Sequence, residues 1–338
     1  MADKTGIEWT DATWNPVTGC TKVSAGCKHC YAEREWPRMT RLVPAYAGRD
    51  FTDVRMHLDR IEQPLHWKKP RRIFVNSMSD LFHESVDQRF ISDVFGIMAA
   101  CPQHTFQILT KRPARALELL GQGCMGRFQD DVEECLVMHS NEPLVWPLPN
   151  VWLGVSIEDQ ATADERIPLL LKTPAAVRWI STEPLLGPVD LSYGFGVPTG
   201  SGNGSCPMHL AGICPEGLLP KGETHIHWVV AGGESGPKAR PMHPDWVRSL
   251  RDQCAAACVP FLFKQWGEWA PGESCGPMTR PEQTAGYFAG KWTFGTMTKK
   301  QNEELHIDDE PDLYRVGKKA AGRLLDGIMH NAYPEVTR

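Results

Sequence analysis

Three cysteines define the chemistry within reach of this sequence. Cys20, Cys27 and Cys30 stand in the run Gly19-Cys20-Thr21-Lys22-Val23-Ser24-Ala25-Gly26-Cys27-Lys28-His29-Cys30-Tyr31, a C-x6-C-x2-C arrangement. Three thiolates can hold three irons of a cubane [4Fe–4S] cluster and leave the fourth iron open to a small ligand. An open corner of that kind distinguishes a reactive cluster from one that only passes electrons. Zinc is the alternative, since it accepts three cysteines with a histidine and His29 lies inside the motif. A structural zinc site usually draws its second ligand pair from a second knuckle, however, and no other C-x2-C occurs in the chain. Gly19 and Gly26 let the loop curl. Lys22 and Lys28 put positive charge beside the thiols and are expected to favour their deprotonation.

Elements able to position such a loop recur between residues 70 and 265. Short β-rich runs end in polar or glycine residues and are followed by amphipathic stretches: Arg72–Ser77, Thr105–Thr110, Val151–Ser156, Val177–Ser181, His227–Ala231 and Pro260–Lys264. Their hydrophobicity is continuous rather than alternating, as in parallel strands buried on both faces. Ile91, Val94, Phe95 and Met98, and again Val247, Leu250, Cys254 and Ala257, carry helical spacing. Adding Thr13–Thr18 as a first strand and a helix from about Tyr31, the pattern predicts an α/β fold, an incomplete parallel (β/α) barrel of about six to seven strands. Its expected extent is residues 1–267, with the cluster loop at 19–31 and a Gly/Pro-rich insertion at 192–225. Residues 268–338 form a C-terminal extension ending in a basic helix over Val316–Leu325, with Lys318, Lys319 and Arg323.

The 338 residues are 23% charged and 41% hydrophobic, with formal net charge −5, so the molecule as a whole is no electrostatic magnet for nucleic acid or anionic membrane. No apolar run approaches the roughly 20 residues that span a bilayer, and the first residues lack the pattern of an export signal. A cytoplasmic protein without membrane contact is expected. Eleven cysteines in such a chain are buried, catalytic or metal-bound rather than a disulfide framework. Cys206, His209 and Cys214 within the insertion have ligand-like spacing without an evident fourth ligand, and Cys254 with Cys258 reads as core packing on one helix face.

Barrel chemistry sits at the carboxyl ends of strands. Those ends here carry Asn76-Ser77-Met78-Ser79-Asp80 with His83 and Glu84, then Thr110-Lys111-Arg112, Ser156-Ile157-Glu158-Asp159, Ser181-Thr182-Glu183, Gly232-Gly233-Glu234-Ser235 and Lys264-Gln265-Trp266. Lys111, Arg112 and Lys264 are candidate catalytic residues suited to an anionic substrate. Trp266 and Trp269 are candidates for stacking a base. Ion pairing of the three cations with Glu158, Glu183 and Glu234 is the equally weighted structural alternative.

The cysteine loop resembles the cluster loop of radical S-adenosylmethionine enzymes, where three cysteines follow the first strand of a partial barrel and an aromatic residue flanks the last, as Tyr31 does. The usual spacing there is C-x3-C-x2-C, and the first gap here is three residues longer. More closely, WTDATWNPVTGC, GCKHCYAE, LTKRP, STEPLLGP, GGESG, FKQWGEW and GKKAAGRLLDG are similar to a phage-encoded three-cysteine-motif family of unknown function. That likeness covers most of the chain, excepting 192–225 and much of 270–310. The resemblance to radical enzymes implies a [4Fe–4S] cluster on Cys20, Cys27 and Cys30, S-adenosylmethionine as cofactor and an electron donor as partner. By position it implies cofactor contacts at Tyr31, at Ser79 and Asp80 (amino group), and at Ser156 and Glu158 (carboxylate and ribose). Gly232 and Gly233 would give close backbone approach, and Glu234 would accept hydrogen bonds. A nucleic-acid or nucleotide substrate is the class the phage likeness suggests, although net acidity argues against a large duplex footprint. The reading from a different class is a zinc-stabilised nucleic-acid-binding or interaction protein without catalysis, its basic C-terminal helix on phosphate.

Overall fold

A computed structural model describes residues 5–121, 125–195, 225–275, 282–298, 300–301 and 312–335. Cys206, His209, Cys214 and most of the 192–225 insertion lie outside the described residues. Seven strands form one sheet in sequential order: β1 (Ala12–Trp14), β2 (Arg72–Val75), β3 (Thr105–Thr110), β4 (Val151–Ser156), β5 (Val177–Thr182), β6 (Trp228–Gly232) and β7 (Phe261–Gln265). Pairing is parallel in β1–β2, β2–β3, β3–β4, β4–β5 and β6–β7. Sequential parallel order is the topology of an incomplete (β/α) barrel, as the alternating pattern predicts. β4 is buried at every residue, which is why its sequence shows no alternation.

Contacts divide the described residues into two compact units, one from 1–156, 164–181 and 223–227, the other from 157–163, 182–222 and 228–338.

The first unit holds α1 (Tyr31–Leu42), α2 (Gln88–Ala99), α3 (Pro113–Leu120) and α4 (Met125–Val137). Helix α2 buries Ile91, Val94, Phe95 and Met98, the residues whose spacing marked it, and Asp87 caps it by accepting from the Arg89 N–H. The first strand is shorter than expected. Pro16 has no N–H to give a ladder, so the main-sheet strand stops at Trp14, and Val17–Thr18 pairs instead with Arg55–Met56, antiparallel. A small apolar cluster of Ala32, Trp36, Tyr46, Phe51 and Met78 lies beneath the cysteine loop, and Cys20 and Cys30 pack against it.

Most of α5 (Gln160–Lys172) also belongs to the first unit, and the second unit holds α6 (Pro244–Ala256). Cys254 is buried, but Cys258 lies past the end of α6 in the left-handed region (φ 53), exposed and disulfide-bonded. The expectation that it packs in the core is corrected. Residues beyond the barrel build a four-stranded antiparallel sheet, β8 (Trp269–Ala270), β9 (Glu282–Phe288), β10 (Lys291–Met297) and β11 (Leu313–Arg315), ordered β8-β11-β9-β10. The basic helix expected over Val316–Leu325 is only Lys318–Ala321, because Gly317 (φ 88) and Gly322 (φ 69) stop it at both ends. Arg323 is then free of a helix and donates to the Lys264 and Phe263 carbonyls and to Asn331. The chain turns back through a hairpin, β12 (Leu324–Leu325) and β13 (Ile328–Met329), and runs antiparallel along β7. The Phe263 N–H donates to the His330 carbonyl at 3.0 Å and the Ala332 N–H to the Phe261 carbonyl at 3.2 Å. An edge strand left bare would be an aggregation template, and this tail covers it.

Candidate functional site: the cysteine loop and the strand ends

The loop is pinned before it reaches its first cysteine. Gly19 has φ +90, and a Cβ there would collide with the Asp53 carbonyl, so only glycine fits. Its N–H donates to the Met78 carbonyl, and the Cys20 N–H to that of Phe51. Below the loop, buried Arg49 donates to the Thr18 hydroxyl at 3.0 Å and pairs with Asp53 at 2.7 Å, while His57 Nε2 meets the same hydroxyl at 2.8 Å. Cys20, Cys27 and Cys30 are all half-buried and unlinked. Cys30 occupies the N-cap of α1. The Tyr31 hydroxyl, one residue on, donates to the Ser77 carbonyl.

Burial outweighs the lysines. The Cys20 thiol is pushed up to about 11 by desolvation and the Asp80 charge, against the pull of Arg112. Burial also raises Cys30, opposed by the amides of Glu33 and Ala32. Lys22 pairs with Glu33, 2.7 Å away, while its charge also acts on Cys30 and Cys27.

Arg112 is the hub of this unit. Its guanidinium, 7% exposed, spends every N–H on protein groups. Nε bonds both Glu84 oxygens at 3.0 and 3.1 Å, Nη1 reaches Asp80 at 3.3 Å and the Cys20 sulfur at 3.7 Å, and Nη2 donates to the Thr21 carbonyl at 3.2 Å and hydroxyl at 2.9 Å. Its carboxylate partners are therefore Asp80 and Glu84, not the glutamates considered from sequence. Asp80 also accepts from the Thr110 hydroxyl (2.8 Å), the Lys111 N–H (3.0 Å) and the Phe82 N–H (3.0 Å). The Ser85 N–H donates to His83 Nδ1 at 3.1 Å, so the proton is on Nε2, which donates to the Thr21 hydroxyl at 2.8 Å. Burial and Arg112 together lower the basicity of His83. The Ser79 hydroxyl donates to the Val17 carbonyl, and the buried Ser156 carbonyl accepts from Arg166 at 2.7 Å.

Glu158, Gly232, Gly233, Glu234 and Lys264 belong to the second unit. Lys264 pairs with Glu183 at 2.9 Å. Glu234 is gripped by the Arg240 fork at 3.0 and 2.7 Å and by its N–H at 2.8 Å. Gly233 is required because a Cβ there would strike the Trp266 carbonyl. Glu158 is buried, with its N–H donating to the Thr162 hydroxyl. Trp266 and Trp269 are buried and their indole N–H groups donate to the Leu324 and Ala239 carbonyls. They are core residues, and the expectation that they stack a base is corrected.

The chain matches, over residues 4–334, a family described as Protein of unknown function (DUF5131). It belongs to that family. No curated protein and no solved structure matches it. The family match spans both units of the fold and so includes every residue of the cysteine loop.

Among the described residues, no group of three or more His, Cys, Asp or Glu side chains is gathered as a ligand set for one ion. By donor chemistry the loop suits a cubane, whose cysteines each bind a different iron. It offers three unlinked thiols, and Cys30 is electrostatically coupled to both Cys27 and Cys20. Sequence reading missed Thr21, which has no signal beyond its place beside Cys20, and left Glu84 and His83 without a role. Among the described residues no helix is long and apolar enough to cross a membrane.

Proposed function

We propose that this chain is an iron–sulfur enzyme of the radical S-adenosylmethionine type, acting on a nucleotide or nucleic-acid substrate, a class suggested by the resemblance of its motifs to a phage-encoded family. The observation that carries the reading is the placement of three unlinked, half-buried cysteines on a loop that follows the first strand of a sequential parallel sheet. Cys20, Cys27 and Cys30 would hold a [4Fe–4S] cluster. Bound there with S-adenosylmethionine, it supplies one-electron reductive cleavage of the cofactor, given an electron donor.

The chain's own groups do the positioning. Arg112 ties Thr21 and Cys20 to Asp80 and Glu84 at the end of β2, so the spacing between loop and strand end is set before any ligand arrives. Since Asp80 is already satisfied by four donors, its part in this reading is to orient Arg112 and the turn after β3. Within the first unit, Tyr31, Ser79 and Ser156 remain the candidate cofactor contacts, and Lys111 the candidate for an anionic substrate group.

Anaerobic reconstitution with iron and sulfide tests the proposal. Wild type is expected to bind iron, and after reduction with dithionite to release 5′-deoxyadenosine from S-adenosylmethionine. Cys27→Ala is expected to lose both, and Cys254→Ala neither. A colourless protein holding stoichiometric zinc, or iron retained in full by Cys27→Ala, would refute the reading.

A further inference from the structure

The four-stranded sheet of the second unit ends on β10, which pairs with β9 on one side and with no described strand on the other. The turn between them is Ala289-Gly290, both at positive φ (48 and 79), and it closes on the pair Phe288 and Lys291. A two-residue turn of this kind closes on a hydrogen-bonded pair, and such pairs alternate along an antiparallel ladder. Lys291, Thr293, Gly295 and Met297 therefore direct their backbone groups inward, onto β9. Trp292, Phe294 and Thr296 direct theirs outward, and among the described residues no backbone group pairs with them.

This edge lacks the devices that keep a bare strand from pairing. It is seven residues long, carries one charge and no proline, and keeps an unbroken register against β9. Phe294 is 64% exposed, and Thr293, Gly295 and Thr296 are exposed as well. The edge of β7, by contrast, is occupied by the C-terminal tail.

The sequence of β10 sets which strand fits. Laid antiparallel against a second β10, with a twofold axis at Phe294, every outward residue finds a hydrogen-bonding counterpart: Phe294 meets Phe294 of the second copy, and Trp292 meets Thr296. With the axis at Trp292 or Thr296, outward residues go unmatched, because their counterparts fall in the turn or past Met297. Opposed residues share a face. One face thus carries the Phe294 pair flanked by Trp292 beside Thr296, an aromatic row across the seam. On the other face, Lys291 of one copy lies opposite Met297 of the other, so the two lysines never meet. Beyond Met297 on that row stands Glu282, roughly 10 Å from the lysine's strand and within reach of two extended side chains.

We infer that β10 is the seam of a homodimer, in which two copies of this chain join their four-stranded sheets into one continuous sheet, antiparallel about Phe294.

Sedimentation equilibrium of the full-length protein is the test, and wild type is expected at twice the chain mass. Phe294→Lys sets two ammonium groups face to face and is expected to weaken the dimer by roughly tenfold or more. Thr296→Pro removes an N–H that points outward, leaving the ladder to β9 whole, and is expected to weaken it too. Phe294→Glu alone should also be monomeric, whereas an equimolar mixture of Phe294→Lys and Phe294→Glu should recover the dimer, which no folding defect would produce. In wild type, hydrogen exchange at the Trp292, Phe294 and Thr296 amides should slow as protein concentration rises, a readout that needs no variant. Wild type that is monomeric at roughly 100 μM would leave the edge to a strand of a different protein and overturn the second copy as its occupant. A dimer of unchanged affinity in both Phe294→Lys and Thr296→Pro, or exchange at those amides that ignores concentration, would overturn the seam.

Discussion

Removing the Arg112 side chain should loosen the cysteine loop before it affects anything else. In Arg112→Ala, Asp80 and Glu84 lose a charged partner, and the Thr21 carbonyl loses its guanidinium donor. Breaking a buried ion pair from one side costs about 3–5 kcal/mol. Glu84 is solvent-exposed, with a side-chain accessibility of 66%, so it recovers water. Asp80 keeps three donors, from Thr110, Lys111 and Phe82. The lower end therefore applies, about 3 kcal/mol, or roughly a 10 °C fall in melting temperature. Arg112→Lys retains a cation near Asp80 but cannot span Glu84, Thr21 and Cys20 together, and about 2 kcal/mol is expected. Urea denaturation measures both. Alkylation at Cys20, located by mass spectrometry, provides the decisive second readout. Losing the positive charge alone would hold the thiol, already near 11, further from its reactive form and slow the reaction. Freeing the loop would expose the sulfur and speed it. Faster modification in Arg112→Ala is expected. A slower or unchanged rate with an unchanged midpoint would refute the role of Arg112 as the anchor of the loop.

Acid should destabilise the fold through two histidines, His57, which is buried, and His227, which is half-buried. Burial holds His57 down to about 4, with help from Arg60, and His227 to about 4, with help from His225. A group with a lowered folded value contributes fully above its unfolded value of 6.5 and loses that contribution as pH falls toward 4. Urea titrations near pH 7 and pH 5 should differ by about 2 kcal/mol per histidine, and His57→Gln should flatten the dependence. Gly19→Ala should lower stability well beyond Gly48→Ala, because both have positive φ but a Cβ at Gly48 meets nothing within 4 Å. Comparable melting temperatures would contradict that. Deleting residues 328–338 uncovers β7, and light scattering should detect association beyond that of the full chain; an equally stable truncation that associates no further would show that the edge needs no cover.

The architecture was legible because parallel strands buried on both faces must be continuously apolar and must alternate with amphipathic helices. Those two constraints are local, and they located β2 through β7 to within a residue or two. The loop's cysteines were legible for a similar reason, since ligand spacing is a property of the chain itself. Pairing between distant residues was not. That Arg112 is saturated by Asp80, Glu84 and Thr21, that Arg240 takes Glu234, and that Trp266 and Trp269 are buried depends on which side chains meet after folding. No spacing rule encodes a contact across ninety residues, such as that between Arg112 and Thr21. The basic helix failed because two glycines with positive φ overrode a favourable composition, and the tail's return along β7 was unreadable because its strand is specified by an edge it meets only in three dimensions. The buried side chain of Asn76, whose Nδ2 meets no hydrogen-bond acceptor, is the extreme case. In sequence it is one polar residue after a strand, and only burial on all sides turns an ordinary carboxamide into a donor without an acceptor.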